Sequence, residues 1–187
     1  MMKKYMLVAA AAALLAACSS MPSGEAAPIA QAAMEQPAPA AMDFVRMAGA
    51  SDLYEINSSQ IVMQSTQNAD VRRFAEMMIE HHTMTTQTVM AAAREAGMNP
   101  PPPALDAPKS EMIRQLQAAQ GTARDSLYVR QQVMAHREAL TLHGSYAGNG
   151  DTPELKGAAS AAVPIVARHY NQVVAMQSGM GGGHAGH

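Results

Sequence analysis

Residues 68–97, NADVRRFAEMMIEHHTMTTQTVMAAAREAG, decide the fold. Asn68 is a helix-capping residue, Gly97 is a C-terminal stop, and between them Val71, Phe74, Ala75, Met78, Val89, Ala92 and Ala96 recur with helical spacing. The stretch predicts one long helix with a single apolar face, and such a face is stable only against other elements.

Reading outward supplies those elements. Upstream, Asp43 is placed to cap a helix running to about Thr66, with Phe44, Ala48, Ser51, Ser58 and Val62 on its inner face. Downstream, Asn99 and the prolines Pro100 to Pro103 break the pattern, and Pro108 to Gln120 predicts a short amphipathic helix through Met112, Ile113 and Leu116. A third long helix is expected from Thr122, with Asp125 favourable in its first turn, through Val129, Val133 and Leu140 to Gly148-Asn149-Gly150. The fourth has Thr152 as cap and Pro153 at its first position, and carries Leu155, Ala159, Ala162, Ile165, Val173 and Met176 inward. Pro164 removes a backbone hydrogen bond from that helix and predicts a kink.

Composition supports helices over sheets. With two Phe and no Trp, the core must be built from Ala, Met, Leu, Val and Ile, small or flexible side chains that suit closely packed helices. Four long helices, with one long connection carrying a short extra helix between the second and third, predict an all-α, ferritin-like four-helix bundle over residues 43–178. Residues 179–187 read as a flexible Gly/His tail.

The N-terminus reads as an export signal. Lys3 and Lys4 precede an alanine-rich apolar run from Tyr5 to Ala17, too short to span a bilayer, which ends in Leu15-Ala16-Ala17-Cys18. That tetrapeptide resembles the bacterial lipobox, which implies removal of residues 1–17 and acylation of Cys18; the plainer alternative is an ordinary signal peptide beside an incidental cysteine. Residues 18–42 hold Pro22, Pro28, Pro37 and Pro39 and read as a flexible Ala/Pro-rich tether. The expected location is the cell envelope, with a lipid anchor in the outer membrane facing the periplasm.

Cys18 is the one cysteine, so an acylated chain has no disulfide, no thiolate nucleophile and no thiolate metal ligand. Formal charge is −2, or −4 without Lys3 and Lys4, and no basic block occurs, which argues against nucleic acid as a partner. Hydrolase triads, phosphate-cradling loops and nucleotide fingerprints are absent from the sequence, so the reading leans away from an enzyme.

On the helical wheels, Glu55, His82, His136 and His169 fall on the four inner faces at similar heights. A buried carboxylate needs a counter-ion, a proton or a metal, and one carboxylate with three imidazoles suits Cu, Zn or Fe. The alternative is a fixed polar network in a non-catalytic structural or interaction module of the envelope, with protonated His paired to Glu55. His81 stands beside the inner face, with His82 preferred as the inward residue. Glu80 points elsewhere and no Glu-x-x-His pair exists, so di-iron oxygen chemistry is not supported.

Weaker ligand positions are His143, two turns beyond His136 and readable as a polar residue near a helix end, and Met180, His184 and His187 of the tail. Met47, Met78, Met134 and Met176 read as core filler at or near inner positions.

Phe44-Val45, Tyr54-Glu55, the run Phe74 to Thr83, Ala135-His136-Arg137-Glu138-Ala139, and Pro164 with His169 resemble, in order, the bacterial domain-of-unknown-function 4142 family. The resemblance covers residues 43–177. It implies a ferritin-like bundle in an exported protein, often labelled an outer-membrane protein, and implies no particular activity. His81 departs from the acidic residue usual before the histidine of the second helix, which adds a second group able to face a metal. Pro164 matches the family pattern.

Overall fold

The computed structural model describes residues 24–181, and every element among them is helical. The helices are α1 (Ala26–Met34), α2 (Ala41–Met63), α3 (Ala69–Glu95), α4 (Ala107–Ala118), α5 (Gly121–Asn149) and α6 (Pro153–Gly181). Residues 1–17, expected to be a leader, and Cys18, His184 and His187 lie outside the described residues. No described helix is long and apolar enough to cross a membrane.

Local chemistry sets several boundaries. The Asn68 side chain accepts from the backbone N–H groups of Asp70 and Val71, and Asp106 accepts from that of Lys109. Gly97 ends α3 at φ +76°, with Met98 N–H bonded to the Ala93 carbonyl and Gly97 N–H to that of Arg94. Two expected boundary roles differ. Helix α2 begins at Ala41, so Asp43 lies in its first turn and pairs with Arg46 instead of capping. Asp125 lies beyond the first turn of α5 and is buried, where it accepts a hydrogen bond from Thr66 Oγ1 at 2.9 Å.

Helix α1 corrects the flexible tether. Ala26, Ala30 and Ala33 form one buried stripe, Pro28 falls in the first turn where its missing N–H breaks no bond, and the helix ends before Pro37. The stripe packs on Leu140, Val163 and Tyr170 of α5 and α6. Gly144 permits this approach, since a Cβ there would stand 2.7 Å from the Ala33 Cβ. Asn149 Nδ2 bonds the carbonyls of Met34 and Gln36 at 2.7 and 2.8 Å, closing the far end of α1. The bundle therefore already includes residues from Ala26 onward, where the sequence reading began it at 43.

The four long helices surround two apolar layers. One holds Phe44, Val89, Tyr146 and Leu155; the other holds Val62, Phe74, Met78, Tyr128 and Val173. By these assignments α2 and α6 run from the first layer to the second, while α3 and α5 run the opposite way. Contacting long neighbours, α2 with α3, α3 with α6, α6 with α5 and α5 with α2, are thus all antiparallel. The connection from α3 to α5 must cross the bundle's length, and α4 lies on α2 and α5 along that path. Polar residues cluster between the two layers.

Methionine needs a second correction. Met78 is fully buried and Met176 packs on the second layer, but Met47 and Met134 are 51% and 53% exposed, as is Met84 at 47%. An apolar residue near a helix face's edge is not assigned to the core by spacing alone.

Candidate metal centre

Each long helix delivers one ionisable residue from its inner face into the space between the layers. Glu55, His82, His136 and His169 are all at most 1% exposed. The three imidazoles form a nearly equilateral triangle, with ring centroids 5.5 Å (His82 to His136), 5.3 Å (His82 to His169) and 5.4 Å (His136 to His169) apart. One nitrogen from each ring lies within 4.8 Å of the other two.

Each ring is held by one nitrogen, and its other nitrogen is left without a partner. His136 Nδ1 donates to the Gln132 carbonyl at 2.9 Å. A carbonyl only accepts, so the neutral ring carries its proton on Nδ1 and presents a bare lone pair at Nε2. His82 Nδ1 bonds Asp52 Oδ1 at 2.8 Å, and Asp52 Oδ2 accepts from Thr86 at 2.9 Å. His169 Nε2 bonds His81 Nδ1 at 2.8 Å. His82 Nε2, His136 Nε2 and His169 Nδ1 are buried without hydrogen-bond partners.

Leaving three such atoms dry costs on the order of 1–3 kcal/mol each. A tetrahedral ion with nitrogen ligands at 2.0–2.1 Å holds them roughly 3.3 Å apart, so modest side-chain rotations bring one nitrogen from each ring into range from the 4.8 Å seen here. A carboxylate or carbonyl behind a ligand imidazole, as Asp52 and Gln132 stand here, fixes its tautomer and raises its basicity.

Glu55 stands beside the triangle. Its Oε1 is 3.7 Å from His136 Nδ1, the nitrogen already committed to Gln132, and neither carboxylate oxygen has a hydrogen bond. The structure brings the three histidines into one group that could hold an ion and puts Glu55 beside one of them, outside that group.

Electrostatics favour neutral rings at His136 and His169. Burial, with the His82 charge nearby, pushes His136 down to about 3, and burial with the neighbouring imidazoles pushes His169 down as well. For His82, burial lowers the value but the bond and charge of Asp52 outweigh it, so the net shift is upward. Burial raises Glu55 to about 7 against the opposing pull of His82.

The remaining positions separate. His81 is half-buried and touches His169 directly. His143 is not a polar residue at a helix end: it is 1% exposed, stands edge-on to Phe44 at 5.5 Å, and its Nδ1 has no partner. Burial pushes it down to about 4. Met180 is half-buried against the second apolar layer, away from the triangle. Asp52 escaped the sequence reading, although it stands three residues before Glu55 and directly after the inward Ser51. That position on an inner face was the available signal.

No curated protein and no solved structure matches the chain. The family model described as "Domain of unknown function (DUF4142)" matches residues 26–176, a span that includes α1 and every residue of the triangle, and the chain belongs to that family.

Proposed function

We propose that the protein binds a transition metal ion, Cu, Zn or Fe, through His82, His136 and His169, and that it stores, buffers or guards against that metal in the cell envelope. One observation carries the reading: three buried rings are each anchored by one nitrogen with the other unpaired, and one nitrogen of each ring lies within 4.8 Å of the other two. Asp52 and the Glu55 carboxyl supply compensating negative charge at the same level. The single long crossover between α3 and α5 supports a ferritin-like reading of the bundle. The Leu15 to Cys18 motif supports a lipid-anchored, periplasm-facing protein of the outer membrane.

Metal-free protein titrated with Cu(II) and with Zn(II) by calorimetry tests the site. One ion per chain is expected, and the double variant His82→Ala, His136→Ala loses it. Unchanged binding in that variant removes the buried site.

The competing reading is a fixed polar network in a non-catalytic envelope module, favoured by the bonds that His82 and His169 already make. It predicts that metal barely raises the melting temperature, whereas a ligand present at a hundred times its Kd stabilises by about 2.7 kcal/mol.

A further inference from the structure

Among the described residues, His81 is the only group in hydrogen-bond contact with the triangle that is not itself buried. Its ring and that of His169 are nearly parallel, 11° apart, with centroids separated by 5.0 Å. Given the 2.8 Å bond between Nδ1 and Nε2, that separation nearly equals the bond plus the two ring radii. The rings therefore lie end to end, as a two-imidazole chain running from the α3–α6 seam into the bundle.

Such a chain has a restriction built into it. Two neutral imidazoles share one proton in the bond between them and carry one more on an outer nitrogen. If His81 Nδ1 donates, His81 Nε2 is bare and His169 Nδ1 is protonated. If His169 Nε2 donates, the reverse holds. Only one end at a time offers a lone pair to a metal: Nε2 of half-buried His81, or the buried Nδ1 of His169.

The residues that share the His81 face of α3 suggest a metal class. Met77 and Met84 stand four residues before and three after His81, spacings that put all three on one face of α3. Met84 is 47% exposed and, with Ile165 of α6, lines a cleft of about 240 Å³ along the seam. Thioethers select Cu(I), while imidazoles accept Zn, Cu, Fe and Ni; copper is the metal common to both donor sets.

We propose that copper enters through His81 and is handed to the buried site by a change of tautomer in the His81–His169 pair. This rests on the metal-binding reading above. Copper, held first as Cu(I) by His81 Nε2 with Met77 and Met84, passes to His169 Nδ1. The proton leaving His169 Nδ1 is balanced by one gained at His81 Nε2, and the shared proton shifts across the bond. Neither ring changes charge and copper is neither oxidised nor reduced. His81 is thus a positioning and transfer residue, not a ligand of the stored ion.

The test uses the intact protein, anaerobic Cu(I) delivered from a chromophoric chelate, and Zn(II) as comparison. His81→Phe is expected to slow copper loading and removal together by at least tenfold while Kd stays within threefold. Met77→Leu with Met84→Leu is expected to slow copper loading severalfold and leave zinc loading unchanged. Nitrogen-15 NMR of protein loaded with Ag(I), a redox-silent mimic, should show His81 protonated at Nε2 and bare at Nδ1. Wild-type loading rates in His81→Phe, a loss of affinity as large as the loss of rate, or the opposite His81 tautomer each overturns the relay. Failure of the buried site looks different: the wild type takes up no metal, or His136→Ala takes it up equally well.

Discussion

Replacing Glu55 by Gln isolates the energetic consequence of burying a carboxyl that has no hydrogen bond. Burial raises its pKa from 4.5 to about 7, so the folded state holds a proton that the unfolded chain releases at lower pH. Stability is therefore lost as pH rises above the unfolded value, and the penalty levels off above the folded one. Each tenfold change in proton affinity is worth about 1.4 kcal/mol, which makes the penalty about 1 kcal/mol at pH 5 and about 3 kcal/mol at pH 8. Glutamine imitates the protonated acid in shape and charge. Metal-free Glu55→Gln should accordingly be more stable than the wild type by about those amounts at the two pH values, the larger corresponding to a melting-temperature gain of roughly 6–12 °C. Urea unfolding with a chelator present, at pH 5 and pH 8, measures both differences. Bound divalent metal reverses the preference, because the ion favours the ionised carboxylate; there the variant should bind more weakly. Equal unfolding midpoints at pH 8 would falsify the argument, since they require the carboxylate to be compensated by a partner in the metal-free protein.

Other perturbations test separate links. Acid should destabilise the metal-free protein: His136, His143 and His169 are held below the unfolded value of 6.5 and stay neutral when folded, while the raised Glu55 and His82 oppose them. The unfolded chain then binds about two more protons near pH 5.5, so stability should fall by about 3 kcal/mol for each further pH unit of acidification; a melting temperature flat from pH 7 to 5 refutes this. Asp52→Asn keeps the shape but removes the charge behind His82, and should weaken metal binding by about 10- to 100-fold in a chelator competition. Gly144→Val drives a side chain into the Ala33 Cβ and should destabilise by about 1–3 kcal/mol, exposing residues near α1 to protease while α2–α6 remain protected. Protection of the N-terminal segment equal to the wild type's would place α1 off the bundle.

Much of the fold was legible because its signals are local. The Asn68 cap, the Gly97 stop and the proline at the start of α6 each act within one turn, and the inner faces of α2, α3, α5 and α6 repeat over many residues. Helix α1 was not, because its stripe is three alanines and its partners Gly144 and Gly148 lie more than a hundred residues away. At the site, helical phase located His82, His136 and His169, since each sits squarely on its stripe. It could not rank Glu55 against Asp52, which share one face of α2 and differ in which imidazole they approach. Nor could it separate buried Met78 from exposed Met134, because a thioether is equally apolar in both places.

The docking of α1 has a geometric consequence for the proposed anchor. Only seven residues separate Cys18 from Ala26. Even fully extended they reach about 25 Å, less than the thickness of a bilayer's hydrocarbon core. The Ala26 N–H is fastened to Asn171 Oδ1 at 3.0 Å, two residues past His169 on α6. A lipid at Cys18 would thus act as a mooring line attached beside α6, setting an upper limit on how far the three histidines could stand from the bilayer. Cargo would have to come to that station, because the protein on so short a line could not range outward to collect it.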